Sequence, residues 1–278
     1  LFLPAQAAGS SIRDLLPGHP EPGGLVSDHP EPPDWLVPEP YTDTDLGVLK
    51  TGKEAQVSLV ERTGTILRCL LARKLYLPRE VTQKGVLEAM GVQRSSRFRN
   101  DVTYREGRQF RKSRDRRAVE RMSTRGKALL QERWTNHEHD VMAVLWQGGV
   151  RVPYPVAFAE DHFDMEYVGD LGEAAPTLAR LRPRGPLLDA IWDQLEANLV
   201  RVVAAGYAHG DLSAYNLLWW ADELWMIDFP QAVDIAANPM GLDFLHRDIA
   251  NITTWFARQG LDRDPEELFA LLLAQLTW

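Results

Sequence analysis

The sequence predicts an α+β fold in two lobes, a small strand-rich lobe followed by a mainly helical one. Three observations predict it: hairpin-patterned apolar runs over residues 55–76, an extended proline-bearing connector near residue 150, and helical stripes after residue 186. At 278 residues the chain is long enough to bury a substantial core. Its 45% hydrophobic and 25% charged content is that of an ordinary globular protein. No apolar run approaches the roughly 18 residues of a membrane helix. The start LFLPAQAAGS lacks a basic leader, so a cytoplasmic protein with no membrane partner is expected. The single cysteine, Cys69, excludes an internal disulfide and a cysteine-built zinc site.

Residues 1–40 hold 9 of the 18 prolines and two copies of HPEP, and such a segment has little to bury. It is expected to be disordered or extended, with a first lobe over 41–165 and a second over 166–278. Ala55–Glu61 and Thr65–Tyr76 read as a hairpin turned at Gly64. Residues 94–133 carry 14 Arg/Lys against 5 Asp/Glu in a chain of net charge −8. A flexible solvated insert is the plainer reading of this block, and an RNA contact the functional one. The block carries only three aromatics, Phe98, Tyr104 and Phe110, beside its 14 cations, a sparse set for a stacking platform, which favours the plainer reading.

A helix is expected from about Thr135 to Gln147, stopped by Gly148-Gly149. GVRVPYPVAF then reads as an extended connector, and Phe163–Val168 as a strand. Leu188, Ile191, Leu195, Leu199, Val202 and Val203 form one helical stripe over 186–205. Leu217–Trp220 and Leu224–Asp228 read as a short hairpin. Two helices follow Asn238-Pro239, the second starting at a capping-box-like Asp264-Pro265. The pair Trp219-Trp220 reads as core, and His137 with His139 as surface.

The chemistry lies in HGDLSAYN, His209–Asn216, and in Asp228 twelve residues beyond it. Phosphoryl transfer from ATP requires positioning and charge neutralisation more than covalent work by the protein. Asp211 fits the carboxylate that accepts a hydroxyl proton. Asn216 and Asp228 fit the hard oxygen ligands of magnesium, with ATP phosphates completing the shell. Any one of these could be a turn residue, but the three together flank an apolar hairpin. Lys74 ends the second strand and fits the cation on the α- and β-phosphates. Glu138 shares a helical face with Val141, Met142 and Leu145, where a carboxylate is costly unless it meets a cation such as Lys74. In KTGKEAQV, Gly52 would let the backbone approach a phosphate that Thr51 and Lys53 contact. His209 reads as a packed structural histidine. Gly210 stands where many regulated protein kinases carry an arginine, and only 50 residues follow Asp228, too few for the usual activation segment and peptide-binding half-lobe.

These residues resemble the RIO atypical protein kinases, closest to the type-one branch. The resemblance rests on TGKEAQV at Thr51–Val57, LARKLY around Lys74, FRNDVTY at Phe98–Tyr104, Trp134 with Glu138, GVRVPYP and MEYVG at Met165–Gly169. It rests most on HGDLSAYN, IDFPQAVD at Ile227–Asp234 and DFLHRDIANITTWF at Asp243–Phe256. It implies a bilobal protein-kinase-like fold with a minimal second lobe and a short catalytic hairpin. It also implies ATP and Mg2+ as cofactors and Ser/Thr phosphorylation, or ATP hydrolysis through a phosphoaspartate at Asp228. The adenine would sit against the backbone of Glu166 and Val168, beneath Met165 and near Val57. Relatives of this branch act in maturation of the small ribosomal subunit, which would suit the basic 94–133 block. The chain departs from the family at Pro230 and Ala232 beside Asp228, at Ser58 and at Ala214. Two other readings remain open: a small-molecule kinase of the aminoglycoside/choline type, which also uses HGD-x-x-x-x-N and IDF, and a nucleotide-gated binding factor on an RNA-rich particle.

Overall fold

A computed structural model of the chain describes residues 31–52, 55–76, 137–159 and 162–276. The basic 94–133 block, Lys53, FRNDVTY and Trp134 lie outside them. The first lobe is an antiparallel sheet of β1 (Thr42–Thr51), β2 (Ala55–Thr63), β3 (Arg68–Tyr76), β4 (Pro155–Phe158) and β5 (His162–Glu166), in the order β1-β2-β3-β5-β4. The expected hairpin is β2–β3, in register from Ala55 opposite Tyr76 to Thr63 opposite Arg68. Helix α1 is described over 137–147 and stops at Gly148-Gly149.

The sequence reading missed β1, and the reason is physical. TDTDLGVLKT is exposed along almost its whole length, with bulge-type register shifts at Asp45/Gly47 and Val48/Lys50. An edge strand with only one neighbour shows no buried alternation. The connector at Pro155 is likewise an edge strand, a position that tolerates proline because one side of the backbone needs no partner. Packing also begins earlier than Tyr41. Val37 is 2% exposed and joins Trp35 and Leu36 over Val60, Cys69 and Leu71 on the outer face of the sheet.

Beside that apolar patch four charges tie four strands together. Arg62 donates to both oxygens of Asp43 at 2.8 and 2.9 Å, and Arg73 to both oxygens of Asp164 at 2.7 Å. Arg73 also reaches Asp43 at 2.9 Å. The hydrogen bond from Arg62 holds the Asp43 carboxyl below its ordinary value, and Arg73 adds to the effect. A carboxyl lowered by folding stabilises the fold above its unfolded pKa, and that contribution is lost as pH falls through the lowered folded value. Asp43→Asn should therefore lower the melting temperature at pH 7 and flatten its fall on acidification below pH 4, as thermal melts across that range would show.

The second lobe carries α2 (Leu178–Leu181), α3 (Pro186–Ala204), α4 (Gly241–Gln259) and α5 (Pro265–Leu273). Its short strands are β6 (Gly169–Asp170) with β7 (Glu173–Ala174), β8 (Tyr207–Ala208) with β11 (Val233–Asp234), and the hairpin β9 (Leu217–Trp220) with β10 (Glu223–Met226). The α3 stripe is buried as the periodicity predicts, and Asp264 caps α5 by accepting from the Glu266 N–H at 2.8 Å. One core runs from Val141, Met142 and Leu145 of α1 through α3 to Ile249 and Phe256 of α4, so α1 anchors the first lobe to the second. Trp219 and Trp220 are partly buried and pack against core clusters of this lobe, in keeping with the core reading. One expectation is corrected here. His139 is buried against Phe158 and Phe163, and His137 hydrogen-bonds the Ala232 carbonyl, so neither is a surface histidine. Among the described residues no helix is long and apolar enough to cross a membrane.

Candidate active site

The cleft between the lobes is built from the inner face of the sheet and three segments of the second lobe. Residues directly opposite in an antiparallel ladder share a face. Val57 lies opposite Lys74, and Leu59 opposite Ala72. Val57, Leu59, Leu70, Ala72, Met165 and Tyr167 accordingly form one apolar cluster on this inner face, a flat surface suited to a planar base. Of the expected hinge residues, Met165 lines this cluster. Glu166 turns its carboxylate away, accepting from the Tyr154 N–H at 3.0 Å, and the Val168 carbonyl accepts from Ala175. The Val168 N–H has no hydrogen bond among the described residues.

Lys74 is the centre of the site. Its Nζ lies 2.7 and 2.8 Å from the two Glu138 oxygens and 2.7 Å from Asp228 Oδ1. Glu138 is 1% exposed on the apolar face of α1, as its spacing predicts, while the Asp228 side chain is half-exposed. Burial alone would lower the lysine pKa, but the two carboxylates outweigh it and leave Lys74 above its ordinary value. Burial would likewise raise Asp228, yet the charge and hydrogen bond of Lys74 bring it below the ordinary carboxylate range.

The segment 209–216 is held from beneath. Asp248 of α4 is buried and accepts from the N–H groups of Gly210 (2.7 Å) and Leu212 (3.1 Å). Arg247 donates to the Gly210 carbonyl. Gly210 adopts φ +83°, and a Cβ there would lie 2.0 Å from the Gln231 carbonyl oxygen. The position thus excludes an arginine for steric reasons as well as lacking one. His209 is buried, stacks on Phe229 at 4.4 Å and donates through Nε2 to the Ile227 carbonyl at 3.1 Å. That is the structural role expected of it, and it ties the loop to the strand end that carries Asp228.

Asn216 donates through its amide nitrogen to the Asp211 carbonyl at 2.9 Å. Its Oδ1 makes no hydrogen bond among the described residues, and Asp228 keeps Oδ2 beyond the oxygen given to Lys74. These are hard oxygen donors of the kind Mg2+ selects. Among the described residues no cluster of three His, Cys, Asp or Glu forms a self-sufficient metal site. The pair therefore fits a cation completed by phosphate oxygens and water. Asp211 is exposed in the cleft. Partial desolvation, with the nearby Asp228 carboxylate adding to it, raises its pKa above the ordinary value.

The fold thus brings Lys74, Glu138 and Asp228 into direct contact and joins Asp211 to Asn216. Thr51 ends β1 and Gly52 follows it, its N–H donating to the Ala55 carbonyl at 2.9 Å; among the described residues neither shares a hydrogen bond with the lysine cluster. Two functional side chains escaped the sequence reading although the quoted motifs contain them. One is Asp248. The other is Tyr76, whose hydroxyl donates to Glu138 Oε2. Its position two residues after Lys74 on β3 is the available signal, because i and i+2 share a strand face. Tyr76→Phe deletes one hydrogen bond to a buried charge and should cost about 2 kcal/mol in chemical denaturation, with the fold retained.

A strand-rich lobe with a lysine–glutamate pair, above a helical lobe that presents Asp211, Asn216 and Asp228, is a protein-kinase-like fold. The comparisons with known proteins name the family. The RIO domain model matches residues 93–268, more than half of the chain. The RIO-type serine/threonine-protein kinase Rio1 of Haloferax volcanii is 35% identical over 136 residues, covering 49% of this chain and 46% of that protein. Its namesake in Thermoplasma acidophilum is 32% identical over 135 residues, covering 49% of this chain and 69% of that protein. A probable RIO1 homologue of Encephalitozoon cuniculi is 27% identical over 224 residues, covering 77% of this chain and 54% of that protein. The chain belongs to the RIO family, a phosphotransferase family. It spans less than half of the Haloferax relative's length.

Proposed function

We propose that the chain is a Mg-ATP-dependent serine/threonine phosphotransferase and ATPase of RIO type. The observation that carries this reading is Lys74 held between buried Glu138 and cleft-facing Asp228. Adenine would lie on the Val57, Ala72 and Met165 surface with its edge at the Glu166–Val168 backbone, and the phosphates would run towards Lys74. Asn216 and Asp228 would hold Mg2+, which offsets phosphate charge when bound. Asp211 accepts the proton of an attacking hydroxyl as its oxygen bonds to the γ-phosphorus; the bond from that phosphorus to the β–γ bridging oxygen breaks and ADP leaves. Asp228, half-exposed at the same place, is the alternative acceptor. Its carboxylate oxygen would bond to the γ-phosphorus as the bond to the β–γ bridging oxygen breaks and ADP leaves, and water would then hydrolyse the acyl phosphate to inorganic phosphate.

The reading extends to a cytoplasmic protein that reaches a ribosomal subunit or other RNA through the basic 94–133 segment. Salt-sensitive co-sedimentation with ribosomal subunits, lost on neutralising Arg111–Arg117, would support that extension. TGKEA and the basic block set the chain apart from small-molecule kinases, and a panel of amino-alcohol acceptors beside protein acceptors separates the two. Labelled protein from γ-labelled ATP, treated with hydroxylamine, identifies the acceptor: labile label indicates the aspartate and resistant label a hydroxyl. No label and no phosphate release would contradict the reading.

The raised pKa of Asp211 has a kinetic consequence. Only its deprotonated form accepts a proton, so kcat/KM should fall as pH drops through that value, which lies above that of a free aspartate. Asp211→Asn should lower the rate by roughly 10²–10⁴-fold and remove this acid limb. A pH–rate profile of both proteins checks it.

A further inference from the structure

In the sheet ladder, Lys50 of β1 lies directly opposite Val57 of β2, and Val57 directly opposite Lys74 of β3. The three are successive rungs of one row and project from one face, the face that carries the apolar nucleotide surface. With neighbouring strands about 4.8 Å apart, the two lysines flank Val57 at a backbone separation of about 10 Å. Lys50 is exposed and forms no ion pair among the described residues, whereas Lys74 is occupied by Glu138 and Asp228.

The charge balance makes this arrangement consequential. Lys74, Glu138, Asp211 and Asp228 together carry more negative than positive charge, although a nucleoside triphosphate is itself an anion. Lys74 is nearly neutralised by its own partners and a single Mg2+ would offset only part of a triphosphate's charge, so an unpaired cation adds attraction where the phosphates extend beyond Lys74.

We propose that Lys50 is a second phosphate-binding cation, which closes over the β- and γ-phosphates from β1 while Lys74 holds them from β3. The proposal rests on the reading of the cleft as an ATP site. It assigns Lys50 a role in discriminating among nucleotides by phosphate number, since an adenine-only ligand would leave it without a partner.

Equilibrium titration of the full chain with Mg-ATP and with AMP tests it, on wild type, Lys50→Gln and Lys50→Arg. Lys50→Gln should weaken Mg-ATP binding about tenfold, the effect of losing one charge-assisted contact, and leave AMP affinity unchanged. Lys50→Arg should keep wild-type affinity for both. Equal Mg-ATP affinity of wild type and Lys50→Gln would overturn the proposal, as would an equal loss for ATP and AMP, which would mean a local change in the β1–β2 hairpin. Failure of wild type to bind either nucleotide would overturn the ATP-site reading and this inference together. A Lys53→Gln variant is the control: the tenfold loss appearing only there would assign the contact to Lys53 and overturn the role of Lys50.

Discussion

Asp228→Asn is expected to reduce ATP turnover by at least about 10²–10³-fold in a protein that still folds. The backbone at Asp228 is left-handed, at φ 72°, a conformation that asparagine adopts more readily than most residues. The side chain is half-exposed, and Lys74 keeps both oxygens of Glu138, so no buried charge loses its last partner. What disappears is the second negative charge on Lys74 and the anionic oxygen proposed for Mg2+. Phosphate release from Mg-ATP, with a circular-dichroism melt of the same preparation, measures both halves. Undiminished turnover would show that Asp228 is an ordinary strand-end residue.

Glu138→Ala is expected to have the largest effect on stability. Glu138 is 1% exposed, and its removal strips both oxygens from the Lys74 ammonium and the acceptor from the Tyr76 hydroxyl. Breaking a buried pair by deleting one partner costs about 3–5 kcal/mol. Replacing both partners by apolar residues often costs little. The double variant Lys74→Met with Glu138→Leu should therefore recover most of the stability lost by Glu138→Ala, yet turn over no ATP. Urea denaturation of the three proteins, with turnover measured on each, separates the structural from the functional contribution. Recovered turnover in the double variant would contradict the role given to Lys74.

Much of this architecture was legible because it is written in short-range chemistry. The α1 stripe carries a carboxylate among apolar residues, and only a cation could make that tolerable, so Glu138 pointed to Lys74 before any contact was known. The β2–β3 hairpin, α3 and the capped α5 follow from period and turn residues. The exposed edge strand β1 shows no such pattern, because one neighbour and an open face leave its side chains unconstrained. Packing of Trp35 and Val37 on the outer sheet face was masked by the prolines around them. The roles of Tyr76 and Asp248 depend on long-range contacts, from β3 to α1 and from α4 to the 209–216 loop, which no local period encodes. Even the absence of an arginine at Gly210 acquires its physical reason, the Gln231 carbonyl, only in three dimensions.

The most direct test of the central claim, that this cleft transfers the γ-phosphoryl group of ATP, is the fate of γ-labelled ATP incubated with the purified full chain in Mg2+, beside Asp211→Asn and beside EDTA. Label leaving ATP, as protein-bound or inorganic phosphate, only with wild-type protein and Mg2+ is the predicted result. Label that stays on ATP in every tube, or is lost equally from all three, would contradict it.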